Sequence, residues 1–333
     1  MYESLGICLV LAALLSINAF VSLLAATGWR LLGSSTRSWS AHTRARTLFV
    51  VRVGPPALAL ISVTVLLVPS YLVYEPYSTT EIVGNKLAAL ALLSAAGVTF
   101  AVWRGLKSWL ATRKLLHAWL EGAEQIRITQ VNIPAFRIKH PFPVIAVVGS
   151  LRPRLFVAGR VLNSLSEEEM RAAIAHEYGH LAARDNLKRV LMRVCRDMLT
   201  MAPCGRSIDR AWAENAEAAA DESAAKRGSV VALNLASALI EIARMVPAGA
   251  RPTMPVGAFL LGDETDGVKG RVRRLLDLAT AGEHQIRPTS GFLLWAGRTV
   301  LLSFMLVLVF FLINSSALSS LHSAMEHVVR VLN

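Results

Sequence analysis

His176 and His180 stand four residues apart in the run His176-Glu177-Tyr178-Gly179-His180. On a helix that spacing puts both imidazoles on one face, about one turn apart, where they can hold one metal ion. Glu177, between them, can reach a water on that ion. An HExxH sequence on a helix is the signature of a zinc hydrolase with the glutamate as general base.

Two imidazoles leave a tetrahedral zinc short of one protein ligand and one open position. The stretch 207–227 reads as a long Ala/Glu-rich helix carrying Glu214, Glu217 and Asp221, ended by Gly228. Glu217 and Asp221 are neighbours at helical spacing. One can ligate while the other accepts a hydrogen bond from the far ring nitrogen of a ligand histidine. Spacing alone leaves Glu214 and Glu217 both open as the ligand.

The elements that position these side chains are legible around them. Ser166 followed by Glu167, Glu168 and Glu169 is a capping box, so a helix starts about ten residues before His176. Met170, Ile174 and Leu181 form an apolar ridge beside the histidines. Upstream, the alternating and β-branched stretches 126–133, 144–150 and 154–160 read as strands, the last two a hairpin across a short Pro-containing turn. Helices are expected at about 186–200, 230–246 and 268–280, with a break at Pro203-Cys204-Gly205.

The mean hydropathy of +0.47 and a 54% share of hydrophobic residues do not suit a soluble protein. Four apolar runs are long enough to span a bilayer: about 5–27, 49–74, 84–103 and 292–314. The first lacks the basic lead and short apolar core of a signal peptide. Between the first two runs lie Arg30, Arg37, Arg44 and Arg46 with no acidic residue; after the third come Arg104, Lys107, Arg113 and Lys114. The loop between the second and third carries Glu75 and Glu81, beside Tyr71, Tyr74 and Tyr77. Those charges place both termini outside and residues 105–290 in the cytoplasm. Arg52 is expected to snorkel to the inner interface, and Pro55-Pro56 to kink or break its span. The net charge of +12 follows from this asymmetry. No aromatic-interleaved basic module points to nucleic acid. Three cysteines, Cys8, Cys195 and Cys204, make no disulfide framework and match no zinc spacing. The tail 315–333 repeats apolar residues at helical spacing, as a short interfacial helix does.

The expected architecture is an α-helical integral membrane protein with four transmembrane helices. Residues 1–104 hold three spans, 105–290 a mainly α, α+β peptidase domain, 291–314 the fourth span, and 315–333 a short extracytoplasmic tail. HEYGH with Asp185 five residues after its last histidine, then Glu217 and Asp221 in a Glu-x-x-x-Asp, resembles the gluzincin metallopeptidases of membranes. The layout of three spans, zinc domain and fourth span resembles the BlaR/MecR-type antirepressor peptidases. The segment PRLFVAGRVLNSLSEEEMRAAIAHEYGH is similar to the strand, turn and helix leading into the site there and in the related HtpX and CAAX prenyl protease family. RVRRLL, 271–276, resembles a further element of those proteins, with no chemical role assigned. The resemblance implies one zinc per chain, ligands His176, His180 and Glu217, Glu177 as catalytic acid/base, and Asp221 orienting a ligand histidine. It departs in one respect: the penicillin-binding sensor of the β-lactam receptors has no counterpart, so resistance signalling is not implied.

The expected activity is zinc-dependent endoproteolysis at the cytoplasmic face of a prokaryotic inner membrane. The expected partners are a protein or peptide substrate, the lipid bilayer, and a cytoplasmic repressor or a sensing partner. Antirepressor-type regulatory cleavage competes with HtpX-like quality control and with a catalytically silent zinc-bearing scaffold; an intact Glu177 argues against the last. The charges at Glu167 to Glu169, Arg171, Arg184 and Asp185 argue against an intramembrane protease. The strand Leu155, Phe156, Val157 is the expected substrate strand, by edge addition. Glu214, Asp185 and His284 are further candidates at the site, His284 for a transition-state contact.

Overall fold

A computed structural model describes residues 2–33, 35–77, 83–128, 132–199, 205–246, 265–281 and 291–332; Cys204 and His284 lie outside them. Helix α1 (Tyr2–Leu31) is followed by α2 (Ala41–Ser62), a π-helical turn at Val63–Leu67, α3 (Val68–Tyr74) and α4 (Asn85–Leu120). Three helical stretches are long and apolar enough to cross a membrane: Tyr2–Leu31, Ala41–Tyr74 and Asn85–Leu120. A fourth arises if the pair Leu302–Ile313 and Ser315–Val331, bent by 94°, counts as one span. Those belong to α11 (Gly291–Ile313) and α12 (Ser315–Leu332).

The second span is interrupted, but not where its Pro-Pro pair stands. α2 continues without a break past Pro55 and Pro56, both buried, and the irregular turn lies at Val63–Leu67. Pro69 follows directly. Its ring crowds the carbonyl of Val65 and it has no N–H to bond there, so the helix takes in an extra residue before resuming as α3. Arg52 is buried, its Nε 3.7 Å from Asp209 Oδ1 of a helix packed alongside. A charge held on a spanning helix needs such a partner.

The expected boundary at residue 104 falls inside α4, which continues unbroken from the apolar run to Leu120. The sheet therefore follows directly on a long apolar helix instead of hanging from a linker. The four strands are β1 (Glu124–Ile126), β2 (Ala135–Ile138), β3 (Ile145–Val148) and β4 (Arg154–Ala158), in the order β1-β2-β4-β3. The hairpin β3–β4 is antiparallel as its turn requires, while β2 joins β4 in parallel. The first strand begins two residues earlier than the sequence suggested and ends at Ile126, residues 129–131 of the expected strand lying outside the described residues; β2, four residues between two Pro-containing turns, is an addition. One expectation is overturned: Leu155, Phe156 and Val157 lie in β4, paired on both sides, so no substrate strand can add to them. The strand on that side with an unpaired edge is β3.

Helix α5 (Gly159–Ser164) leads to α6 (Glu167–Ala183), α7 (Asp185–Asp197), α8 (Gly205–Ala225), α9 (Ser229–Met245) and α10 (Thr265–Ala281). Phe156, Leu155, Val157, Ala173, Leu235, Leu239, Ile242 and Leu275 centre the core between sheet and helices. A second set, Ala45, Leu48, Met192, Ile208 and Trp212, joins α2 to α7 and α8. Two polar links reinforce it: Glu222 accepts a hydrogen bond from Ala41 N at 3.1 Å, and Arg196 donates to Asp209 at 2.9 Å. Gly97 of α4 lies so close to the end of α7 that a Cβ there would meet Met198 O at 2.6 Å.

Candidate metal centre

The capping box that starts α6 is formed in both directions. Ser166 Oγ accepts from Glu169 N at 3.2 Å, and Glu169 Oε2 accepts from Ser166 N at 2.8 Å. With its start fixed, the helix delivers His176 and Glu177 into the interior and His180 to its edge, where Arg184 takes the left-handed conformation (φ 54°) that ends it. The next residue, Asp185, opens α7 and turns back on His180.

Gly179 has a structural duty. A Cβ there would stand 3.1 Å from Ala220 Cα and 3.3 Å from Ala220 Cβ, so its absence lets α6 and α8 close on one another. Glu217 lies one turn before Ala220 on α8 and is thereby brought to the histidines.

The distances separate two kinds of contact. His176 Nδ1 is 2.9 Å from Asp221 Oδ1 and His180 Nδ1 is 2.8 Å from Asp185 Oδ2, which are hydrogen bonds. The Nε2 atoms of the same rings stand farther from Glu217: 3.6 Å from His176 to Oε2 and 3.4 Å from His180 to Oε1. Two ligand atoms each roughly 2.0–2.1 Å from a tetrahedral zinc are about 3.4 Å apart. Both imidazoles therefore turn Nδ1 to a fixing carboxylate and Nε2 to a common point. The rings meet at 86°, centroids 4.8 Å apart. The donor set and its spacing fit zinc.

Of the carboxylates considered, Glu217 lies at this point and Asp221 and Asp185 each hold a ring, whereas Glu214 is solvent-exposed, away from the histidines. Glu177 is buried, and its Oε2 accepts from Val147 N of β3 at 3.1 Å. Burial raises the Glu177 carboxyl above the ordinary range, with the two histidines opposing. Burial would raise Glu217 as well, but His180, His176 and Arg271 outweigh it and hold Glu217 well below that range. His180 shows the converse: burial lowers it, yet Glu217, Asp185 and Glu177 push it up to about 10. The carboxylates thus make a strong field for a cation.

Arg271 belongs to the centre and was given no role on sequence grounds. From α10 it donates to both oxygens of Asp221, at 3.0 Å from Nε and 2.7 Å from Nη2, while its Nη1 lies 3.3 Å from Glu217 Oε2. Its signal was position. Val268, Val272, Leu275 and Ala279 give the apolar stripe of α10, and an arginine four residues before the fully buried Leu275 falls on the inward face. Arg189 of α7 is a second addition, 3.5 Å from Glu217 Oε1.

A cleft of about 340 Å³ opens beside these groups, lined by Val147, Gly149, Leu151, Glu177, His180 and Glu217 among others. Asn186 Nδ2 donates to Val147 O at 2.8 Å and Gly149 O at 3.3 Å, fastening β3 along one wall. A helix-borne histidine pair, a carboxylate from a second helix and an edge strand over the intervening glutamate together frame that cleft.

Residues 146–250 match peptidase family M48.

The match runs from β3 through α9 and contains His176, Glu177, His180, Glu217 and Asp221; Arg271 lies beyond it. No curated protein matches the chain. M48 peptidases are generally zinc-dependent, in keeping with the donor set. The M48 segment and the apolar helices together support a membrane-associated zinc metallopeptidase.

Proposed function

We propose that the chain is a membrane-anchored zinc endopeptidase that cleaves protein substrates at the cytoplasmic face, in regulatory proteolysis of the antirepressor type. The observation that carries the peptidase reading is the pair of Nε2 atoms held 3.4 and 3.6 Å from Glu217 while carboxylates fix both Nδ1 atoms. A zinc held by His176, His180 and Glu217 would activate a water and polarise the scissile carbonyl. Glu177 is placed to take the proton of that water and to return it to the leaving nitrogen. Its raised carboxyl pKa favours holding the proton between the two transfers. Asp221 and Asp185 keep the two rings in the tautomer that leaves Nε2 free to ligate. Arg271 neutralises Asp221 and fixes Glu217 from behind. An extended substrate runs along the outer edge of β3, taking the Val147 N–H over from Glu177 as that carboxylate turns to the water.

Replacing Glu177 with Gln in the full chain tests this. The variant is expected to keep its zinc and lose cleavage; full proteolysis with zinc retained would sink the mechanism. The same variant, crosslinked in cells and analysed by mass spectrometry, addresses the biological role. Capture of a soluble repressor supports regulation, whereas capture of misassembled membrane proteins supports the quality-control alternative. The three-plus-one arrangement of apolar helices favours regulation. The positive-inside asymmetry of Arg30, Arg44, Arg46, Arg104 and Lys107 supports the cytoplasmic side and extracytoplasmic termini.

A further inference from the structure

At the opposite end of the helical bundle from the peptidase site, Glu75, His322 and Glu326 bring one ligand atom each within 4.8 Å of one another. Glu75 follows α3, and the other two stand four apart on α12, so the pair on one helix repeats the spacing logic of HExxH. His322 Nε2 is 3.6 Å from Glu75 Oε2 and 3.6 Å from Glu326 Oε1. Neither separation is a hydrogen bond, and both are close to the roughly 3.4 Å that separates two ligands of one tetrahedral zinc. The same kind of spacing marks Glu217 at the peptidase centre.

A second observation points to a ligand. His322 is only 8% exposed, and among the described residues its ring makes no hydrogen bond: Nδ1 has no partner, and Nε2 stands 3.6 Å from each of two carboxylates. A buried imidazole nitrogen that faces two carboxylates beyond hydrogen-bond reach is satisfied by a ligand at their common point. Glu75 is as buried as the histidine; Glu326 is 39% exposed, which gives an ion a way in. Arg330 lies against the other oxygen of Glu326, at 3.6 Å, and so leaves Oε1 to the site. Hydrogen bonds join α3 to α12 around the site. Ser70 Oγ donates to Leu318 O at 3.0 Å, Tyr74 OH donates to Ser315 O at 2.9 Å, and the Tyr74 ring lies 6.0 Å from that of His322.

We propose that Glu75, His322 and Glu326 form a second zinc site, distinct from the peptidase centre, which clamps α12 onto the end of α3. One imidazole and two carboxylates, with a water completing the tetrahedron, are a sufficient donor set for a zinc-class divalent cation.

The test is metal counting on the full chain in nanodiscs, equilibrated with buffered zinc and read by plasma mass spectrometry. Wild type is expected to hold two zinc ions, Glu217→Ala one, His322→Gln one and the double variant none. Glu326→Gln, at the exposed ligand, gives the same answer should His322→Gln fail to fold. With cobalt in place of zinc, the absorption bands of wild type are expected to exceed those of Glu326→Gln by a separate set. Wild type and Glu326→Gln holding the same number of zinc ions overturns the site. Loss of metal in Glu217→Ala bears only on the peptidase centre, so the two readings fail separately.

Discussion

Replacing Gly179 with alanine should disable zinc binding from a position that touches no metal. The new Cβ would stand 3.1 Å from Ala220 Cα, 3.3 Å from Ala220 Cβ and 3.4 Å from Ser223 Cβ. Carbon atoms pack best about 3.5–4.0 Å apart, so α8 must retreat by roughly half an ångström. Overpacking of this kind costs about 1–3 kcal/mol, partly offset by the roughly 1 kcal/mol that alanine gains over glycine within a helix. The effect on stability is therefore small. The effect on the centre is not, because Glu217 is one turn from Ala220 and moves with it. Metal–ligand distances tolerate only about 0.2 Å, and losing an outer support of a ligand typically costs 10–100-fold in affinity. The assay is competition for zinc against a chromogenic chelator, run beside a thermal melt. Gly267→Ala is the control, since a Cβ there meets nothing within 4 Å. Gly179→Ala is expected to bind zinc about 10–100-fold more weakly while Gly267→Ala binds as wild type. Wild-type affinity in Gly179→Ala would refute the argument that this close approach seats the third ligand.

Glu217→Ala should lose zinc while Glu214→Ala keeps it, in the same competition assay; the reverse would reassign the ligand. Zinc must displace the proton that the metal-free site holds on His180, whose pKa is pushed up to about 10. Affinity should therefore rise as pH rises toward that value, and calorimetry in buffers of different ionisation enthalpy should show proton release at pH 7. Arg271→Met strands the buried Asp221 and should lower stability by about 3–5 kcal/mol, read by chemical or thermal unfolding, with Asp221→Asn/Arg271→Met recovering part of the loss. Gly97→Ala would drive a Cβ to within 2.6 Å of Met198 O, lifting the end of α7 from α4 and lowering the melting temperature by several degrees.

His176, Glu177 and His180 were legible because everything that arranges them is local: a capping box and a helical repeat. Asp221 followed from Glu217 by the same repeat. Glu214 and Glu217 could not be told apart, since they lie within one turn. What separates them is the approach of α6 to α8 at Gly179, a contact between helices about 40 residues apart. Arg271 arrives from α10, 50 residues beyond Asp221; its stripe placed it on the inward face, but nothing local named the carboxylate it would meet. The substrate strand was misplaced for a related reason. β4 looks like a hairpin edge until β2, about 20 residues earlier, pairs with its other side. The break in the second span was sought at Pro55-Pro56, yet the helix absorbs those prolines and yields one turn ahead of Pro69.

α4 has 36 residues, which is about 54 Å of helix against the roughly 30 Å of a hydrocarbon core. The excess carries the sheet beyond the apolar run on one continuous helix, while α7, seated against Gly97, and α8, alongside α2, hold the site back toward the bundle. The cleft is thus held against the apolar bundle at several points instead of by one hinge, and its distance from those helices is set by packing.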